Sequence, residues 1–107
     1  MNAWEVWECD LGRGAHPVVV VSHPSRAANK PLVEILDCSS QRASRAPLEN
    51  EVLLDVEDGM DWPTLCKCDL IYAVPKAELN QRRGQVVVPR RRAIVRSILQ
   101  SHGWNAI

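Results

Sequence analysis

Apolar and polar positions alternate along most of the chain in short runs, the two-residue period of strands with one buried face. Trp4 and Val6, set among Glu5, Trp7, Glu8 and Cys9, open the first run, and Asp10-Leu11-Gly12-Arg13-Gly14 supplies a turn. Residues 17–21, Pro-Val-Val-Val-Val, are a β-branched run that predicts a buried second strand. Pro17 stands at its entrance, where a missing N–H does no harm. Residues 22–30 are polar and proline-bearing and read as a loop, 31–38 as a third strand, 39–50 as an exposed loop. Residues 51–55 are a fourth strand, ended by Glu57-Asp58-Gly59. Residues 65–74 are a fifth. Alternation would put Leu65, Lys67, Asp69 and Ile71 on one face and Cys66, Cys68, Leu70 and Tyr72 on an apolar opposite face. Residues 75–79 suit one short helical turn, and 86–88 a brief strand.

The period changes at Pro89, a residue well suited to the first turn of a helix. Ile94, Val95, Ile98, Leu99 and His102 recur at helical spacing, with Arg91, Arg92 and Arg96 largely elsewhere, and Gly103 fits the end. Five or six short strands with one C-terminal helix predict a mainly β fold, a small, strongly bent sheet or barrel. A length of 107 residues predicts one domain spanning residues 1–107.

Composition alters this picture little, since 46% hydrophobic and 24% charged residues are ordinary for a globular chain. No apolar run approaches the ~20 residues needed to span a bilayer, and no basic-then-apolar leader opens the chain. No membrane association is expected, and the cytoplasm is the expected compartment. Cys9, Cys38, Cys66 and Cys68 fall within strand-like apolar sequence and read as free thiols. The single residue between Cys66 and Cys68 is fewer than the roughly two to four that separate paired zinc ligands. No metal and no cofactor is expected.

The formal net charge of zero hides a division. Residues 49–61 carry Glu49, Glu51, Asp55, Glu57, Asp58 and Asp61 with no base, while 81–107 carry Arg82, Arg83, Arg90, Arg91, Arg92 and Arg96 with no acid. The arginine-rich end suits a polyanion or an acidic partner. Arg82, Arg83, Arg90 and Arg91 are accordingly candidate contacts for such a partner, and Arg13 and Ser40 from the loops are added to them.

The phosphate-cradling GxxxxGK[ST], GxGxxG, GxSxG and HExxH patterns are all absent. What remains is polar residues at strand ends and loops: Arg13, His16, Ser39, Ser40, Lys67 and Asp69. Trp4-Glu5-Val6-Trp7-Glu8-Cys9-Asp10-Leu11, followed by His16-Pro17-Val18-Val19-Val20-Val21-Ser22, resembles the first hairpin of the MazF/PemK (Kid-like) toxins, a "GDVxxxDL" strand before an "RPVLVLS" strand. Cys38-Ser39-Ser40-Gln41 is similar to that family's "ITSQ", and Lys67-Cys68-Asp69-Leu70-Ile71, with Lys76 and Leu79 beyond, is similar to its "RCDQ...I...L". The blocks run in order over nearly the whole chain.

The resemblance implies a bent SH3-like barrel with a C-terminal helix, an active homodimer, and sequence-preferring cleavage of single-stranded RNA. It implies as partner an acidic antitoxin whose disordered tail covers the RNA groove. The family places a catalytic threonine where Ser39 stands, an arginine and an aspartate where Lys67 and Asp69 stand, and an arginine where His16 stands. Three departures follow. The first loop, residues 12–15, is short, the arginine before the proline is histidine, and a lysine at 67 keeps a point charge without the bidentate fork.

Cleavage by the RNA's own 2′-hydroxyl needs a base for that proton, a cation for the phosphorane and an acid for the departing 5′-oxygen. Asp69 or His16 is the candidate base, Lys67 the cation, His16 the acid, and Ser39 a donor to a nonbridging oxygen. Two other readings stand beside this one. Trp104-Asn105-Ala106-Ile107 is similar to the end of CcdB-type gyrase poisons, which bind a protein target, and a MazF-like chain with a silent site would only bind RNA or an acidic peptide. On composition alone, Lys67 and Asp69 are a surface ion pair, and Trp4, Trp7 and Trp62 are core or dimer contacts.

Overall fold

The computed structural model describes all 107 residues. The first hairpin forms where the alternation predicts it. β1 (Glu5–Asp10) and β2 (Ala15–Val20) pair antiparallel, Val6 opposite Val19 and Cys9 opposite His16. Asp10 ties the reversal: its Oδ1 accepts from the amides of Gly12 at 2.7 Å and Gly14 at 3.2 Å. The segment read as a loop after β2 instead contains a short helix, α1 (Pro24–Asn29). Its starting signals are local: Pro24 stands in the first turn, His23 accepts from the amide of Ser25, and Ala27 buries one apolar contact.

β3 (Leu32–Cys38), β4 (Glu51–Leu54) and β5 (Thr64–Pro75) follow as expected, with a 3-10 turn at Lys76–Glu78. β6 (Leu79–Gln85) replaces the strand read at residues 86–88. Its sequence, Leu-Asn-Gln-Arg-Arg-Gly-Gln, has no apolar alternation, so its extended shape comes from pairing with β1, Glu5 opposite Gln85 and Cys9 opposite Leu79. Val86 leaves the strand to enter the core, and α2 (Val88–Ser101) begins at once. Gly103, in the left-handed conformation, follows the helix as expected.

The six strands form one antiparallel sheet in the order β4-β5-β3-β2-β1-β6. It bends around a core without closing into a barrel. One face, with Val6, Val19, Leu36, Cys66 and Cys68, packs beneath Ile94 of α2; the other gathers Val18, Val20, Val33 and Ile35 around Ala27 of α1. The helix buries Ile94 and Ser97, whereas Val95 and Leu99, which share the stripe read at helical spacing, stay exposed. Helical spacing gave their stripe correctly but could not fix its rotation about the axis. No helix is long and apolar enough to cross a membrane.

β5 departs from simple alternation. Cys38 lies opposite Cys66 while Leu36 lies opposite Ile71, so four residues of β5, Lys67 to Leu70, stand against one of β3. This bulge turns the strand over. Cys66 and Cys68 stay beneath α2, but Tyr72 pairs with Ile35 and Val74 joins the other core, leaving Leu70, Ile71 and Tyr72 exposed. The apolar face read for Cys66, Cys68, Leu70 and Tyr72 therefore ends at Cys68.

The open edges are brought together after β4. Asp58, with no exposed surface, accepts from the amides of Asp55 and Val87 and from Arg90, whose guanidinium also grips both oxygens of Asp55. Beside this clamp, Gly59 (φ +95°) and Gly84 are in backbone contact; a Cβ on Gly59 would meet the Arg83 carbonyl at 2.6 Å, and one on Gly84 the Asp58 carbonyl at 2.7 Å.

Asp58→Ala should cost about 3 kcal/mol or more, because it strips a buried carboxylate from two amides and a guanidinium. Chemical denaturation measures this, and a cost near zero would show that the clamp is ornamental. The hydrogen bonds from Arg90 hold the Asp55 carboxyl below the usual carboxylate range, and those from Arg45 do the same for Glu51. Their folded values are depressed, so the stability they contribute is complete above the ordinary range near ~4 and is lost as pH falls through the lower folded values. The melting midpoint should therefore drop on acidification through that window, and Arg90→Ala should flatten the drop.

Candidate active site

His16 sits at the mouth of the first hairpin, one residue inside β2, and is almost fully buried. Its Nδ1 lies 2.9 Å from the carbonyl oxygen of Gly14, an acceptor only, so Nδ1 carries a proton and donates it. Its Nε2 lies 2.6 Å from Oδ1 of Asp37 on β3, a buried carboxylate that the sequence reading missed. The two atoms are too poorly aligned for a regular hydrogen bond, yet neither has another partner. With Nδ1 donating to Gly14, Nε2 is the ring atom that faces the carboxylate. The other oxygen of Asp37 accepts from Arg13 at 2.5 Å, and that bond helps keep the guanidinium charged.

Asp37 carried no motif, only an acidic residue at the end of an apolar strand. Its position is a matter of register: Asp37 lies opposite Val18, and His16 shares the face of Val18 two residues away.

Around this pair the fold assembles the expected residues. Arg13, His16, Asp37, Ser39, Ser40 and Lys67 line one cavity of about 200 Å³. Asp69 lines a neighbouring one of about 260 Å³ that shares Arg13, Asp37 and Lys67. Ser39 follows β3 directly; its amide donates to Leu65 of β5 and its Oγ accepts from the amide of Gln41, so the hydroxyl hydrogen is free to point into the cavity. Lys67 is exposed, Asp69 is half-buried, and no ion pair joins them. Both stand in the bulge of β5, which aims them where a regular strand would not. The surface ion pair expected from composition does not form.

The arginines of the C-terminal segment are dispersed. Arg83, largely buried, reaches Asp61 at 2.7 Å and Glu8 at 3.4 Å beside the site. Arg82 pairs with Glu5 at 3.2 Å on the far end of β1, Arg90 is held in the clamp with Asp55 and Asp58, and Arg91 donates to the carbonyl of Val86. Only Arg83 of these four lines a cavity shared with His16. All four cysteines are free and buried. Hydrogen bonding to Cys66, then burial, pushes the Cys68 thiol far above its ordinary range; the bond to Cys38 comes first for Cys66, and burial raises Cys9. Cys9, Cys66 and Cys68 remain thiols, in keeping with packing rather than nucleophilic roles.

A sequence model of the PemK-like, MazF-like toxins of type II toxin–antitoxin systems matches residues 2–102. No curated protein sequence matches. Among solved structures, the chain is similar to an endoribonuclease in complex with its cognate antitoxin from a mycobacterial species, at 23% identity and a TM-score of 0.84, covering 96% of this chain and 95% of that one. It is also similar to the Mycobacterium tuberculosis toxin MazF-mt6, at 18% identity and 0.81 over 92% and 96% of the two chains. A MazE–MazF crystal structure from Deinococcus radiodurans matches at 16% identity and 0.76 over 96% and 95%. At such identities the likeness is one of fold.

Asp37→Asn should destabilise the fold by about 1–3 kcal/mol, since it keeps the shape but leaves the buried His16 facing an uncharged group. Arg13→Ala, which removes a partner that is 59% exposed, should cost clearly less. Denaturant midpoints compare the two, and equal costs would mean that the His16–Asp37 contact contributes nothing of its own.

Proposed function

The chain belongs to the PemK-like, MazF-like toxins of type II toxin–antitoxin systems, and from that premise we propose that it is an endoribonuclease that cleaves single-stranded RNA through the substrate's 2′-hydroxyl, with no metal ion. The observation that carries this reading is the bulge of β5, which brings Lys67 and Asp69 beside Arg13, His16 and Ser39 around adjoining cavities.

Each step then has a group within the site. Asp69 takes the proton of the 2′-hydroxyl as it attacks the adjacent phosphorus. Lys67 and Arg13 carry the growing negative charge of the phosphorane, and Ser39 donates to a nonbridging oxygen. His16 protonates the departing 5′-oxygen, its Nε2 exchanging Asp37 for the substrate. The products are a 2′,3′-cyclic phosphate and a 5′-hydroxyl. Asp37 leaves the cavity less negative than its charge implies, because the Arg13 guanidinium pairs with it and Lys67 stands beside it. A phosphate therefore meets a net positive wall. The toxin acts as a homodimer in the cytoplasm, and an acidic antitoxin neutralises it by covering this surface.

Purified protein incubated with RNA and a chelator, with both new ends mapped, tests the chemistry. Retained cleavage with 2′,3′-cyclic phosphate ends is expected; activity lost to chelator and restored by magnesium would overturn the metal-free route. Lys67→Ala should lower turnover about a hundredfold or more while RNA still binds, whereas Lys67→Arg should keep it, since arginine retains the charge and adds a bidentate fork. Wild-type turnover in Lys67→Ala would move the active site elsewhere.

A further inference from the structure

A second cavity of about 200 Å³ opens on the other side of His16, Ser39 and Ser40, which line it together with the phosphate cavity. Its wall has a different character. Trp62 supplies a partly exposed indole, Met60 an apolar floor, and Glu8, Asp61 and Arg83 the polar groups. Arg83 is spanned between the two carboxylates, with one oxygen of Asp61 at 2.7 Å and one of Glu8 at 3.4 Å. Two carboxylates against one guanidinium leave a net negative wall with carboxylate oxygens to spare. Such a wall repels phosphate and accepts N–H donors, while an indole offers a stacking plane.

We infer that this cavity holds the nucleobase flanking the scissile phosphate and prefers a base with an exocyclic amine, adenine, cytosine or guanine, over uracil. The assignment rests on the nuclease reading above and deepens it by naming what the neighbouring subsite recognises. Carboxylate oxygens pair with exocyclic amines, as when an acidic side chain accepts from cytosine N4, whereas uracil has no exocyclic amine and flanks its single N3–H with two carbonyl oxygens that repel a carboxylate. Single-stranded RNA is read in this way, by splayed bases stacked on aromatic planes and bonded along their edges. Because His16, Ser39 and Ser40 belong to both cavities, a base seated on Trp62 sets its own phosphate against Lys67 and Arg13. Trp62 is thereby a positioning residue, and Glu8 and Asp61 read the base.

The test uses ribo-oligonucleotides with every base presented on each side of the cut, compared by kcat/KM for the wild type, Glu8→Gln and Trp62→Leu. The wild type should disfavour uracil roughly tenfold at one of the two positions, the discrimination of a single good base contact. Glu8→Gln, which keeps the shape and loses the charge, should remove that preference. Trp62→Leu should raise KM roughly tenfold for all bases without changing their order. Should Glu8→Gln melt far below the wild type, Asp61→Asn, at a side chain 66% exposed, replaces it. Equal rates for all four bases in the wild type, or an unchanged preference in the folded acid-to-amide variant, overturn the assignment. If the wild type cuts no RNA at all, the nuclease reading fails by itself, and binding then judges the subsite. Adenosine, cytidine and guanosine should quench tryptophan fluorescence more than uridine does, and Trp62→Leu should abolish the difference; a difference that survives in the variant also overturns the assignment.

Discussion

Asp58 is the residue on which the shape of the sheet depends. An open antiparallel sheet leaves two edges, here β4 and β6, and a small protein must keep them from pairing with other chains. This one folds the turn after β4 against β6 and the start of α2. A single buried carboxylate bonded to two amides and one guanidinium fixes that contact, with Gly59 and Gly84 touching where any side chain would intervene. The arrangement satisfies every group it buries, which a buried charge requires. It also seats Met60, Asp61 and Trp62 next to Arg83, so the same turn that shuts the edge builds one wall of the second cavity.

The site itself depends on a broken rule of sheet geometry. A regular β5 would have kept Lys67 and Asp69 in strict alternation with buried neighbours along one plane. The bulge instead lets Cys66 and Cys68 stay beneath α2 while the strand turns over toward Tyr72, and Lys67 and Asp69 project at the turn. Bulges commonly re-aim side chains beside active sites. Meanwhile His16 reaches across from β2 to Asp37 near the end of β3, its Nε2 2.6 Å from Oδ1.

The division of charge along the chain resolves largely within the molecule. Arg90 binds Asp55 and Asp58, Arg83 binds Asp61, and Arg45 from the loop before β4 grips both oxygens of Glu51. Charge segregated in sequence is here charge complementary in space. Lys67, in no ion pair, and Arg13, paired with Asp37, come from outside the arginine-rich end and stand at the cavity proposed for a phosphate.

Local pattern sufficed for what local physics governs. The first hairpin, β3 to β5, the helix opened by Pro89 and the free thiols all follow from side-chain alternation, turn residues and helical spacing. The candidate residues His16, Ser39, Lys67 and Asp69 were marked instead by ordered blocks that resemble the toxin family, and the fold gathers them around adjoining cavities. Tertiary structure decided the rest. β6 is extended because β1 offers it an edge, although none of its own residues favours a strand, and α1 forms from caps too short-ranged to register as a period. Asp37 joined the candidate site only through its register against β2, and Arg90, half-buried, turns inward only because Asp55 and Asp58 lie within reach. A sequence states which side chains share an element. Which elements meet, and at what offset, is set by burial summed over the whole chain, and a one-residue slip in that offset exchanges the faces of a strand.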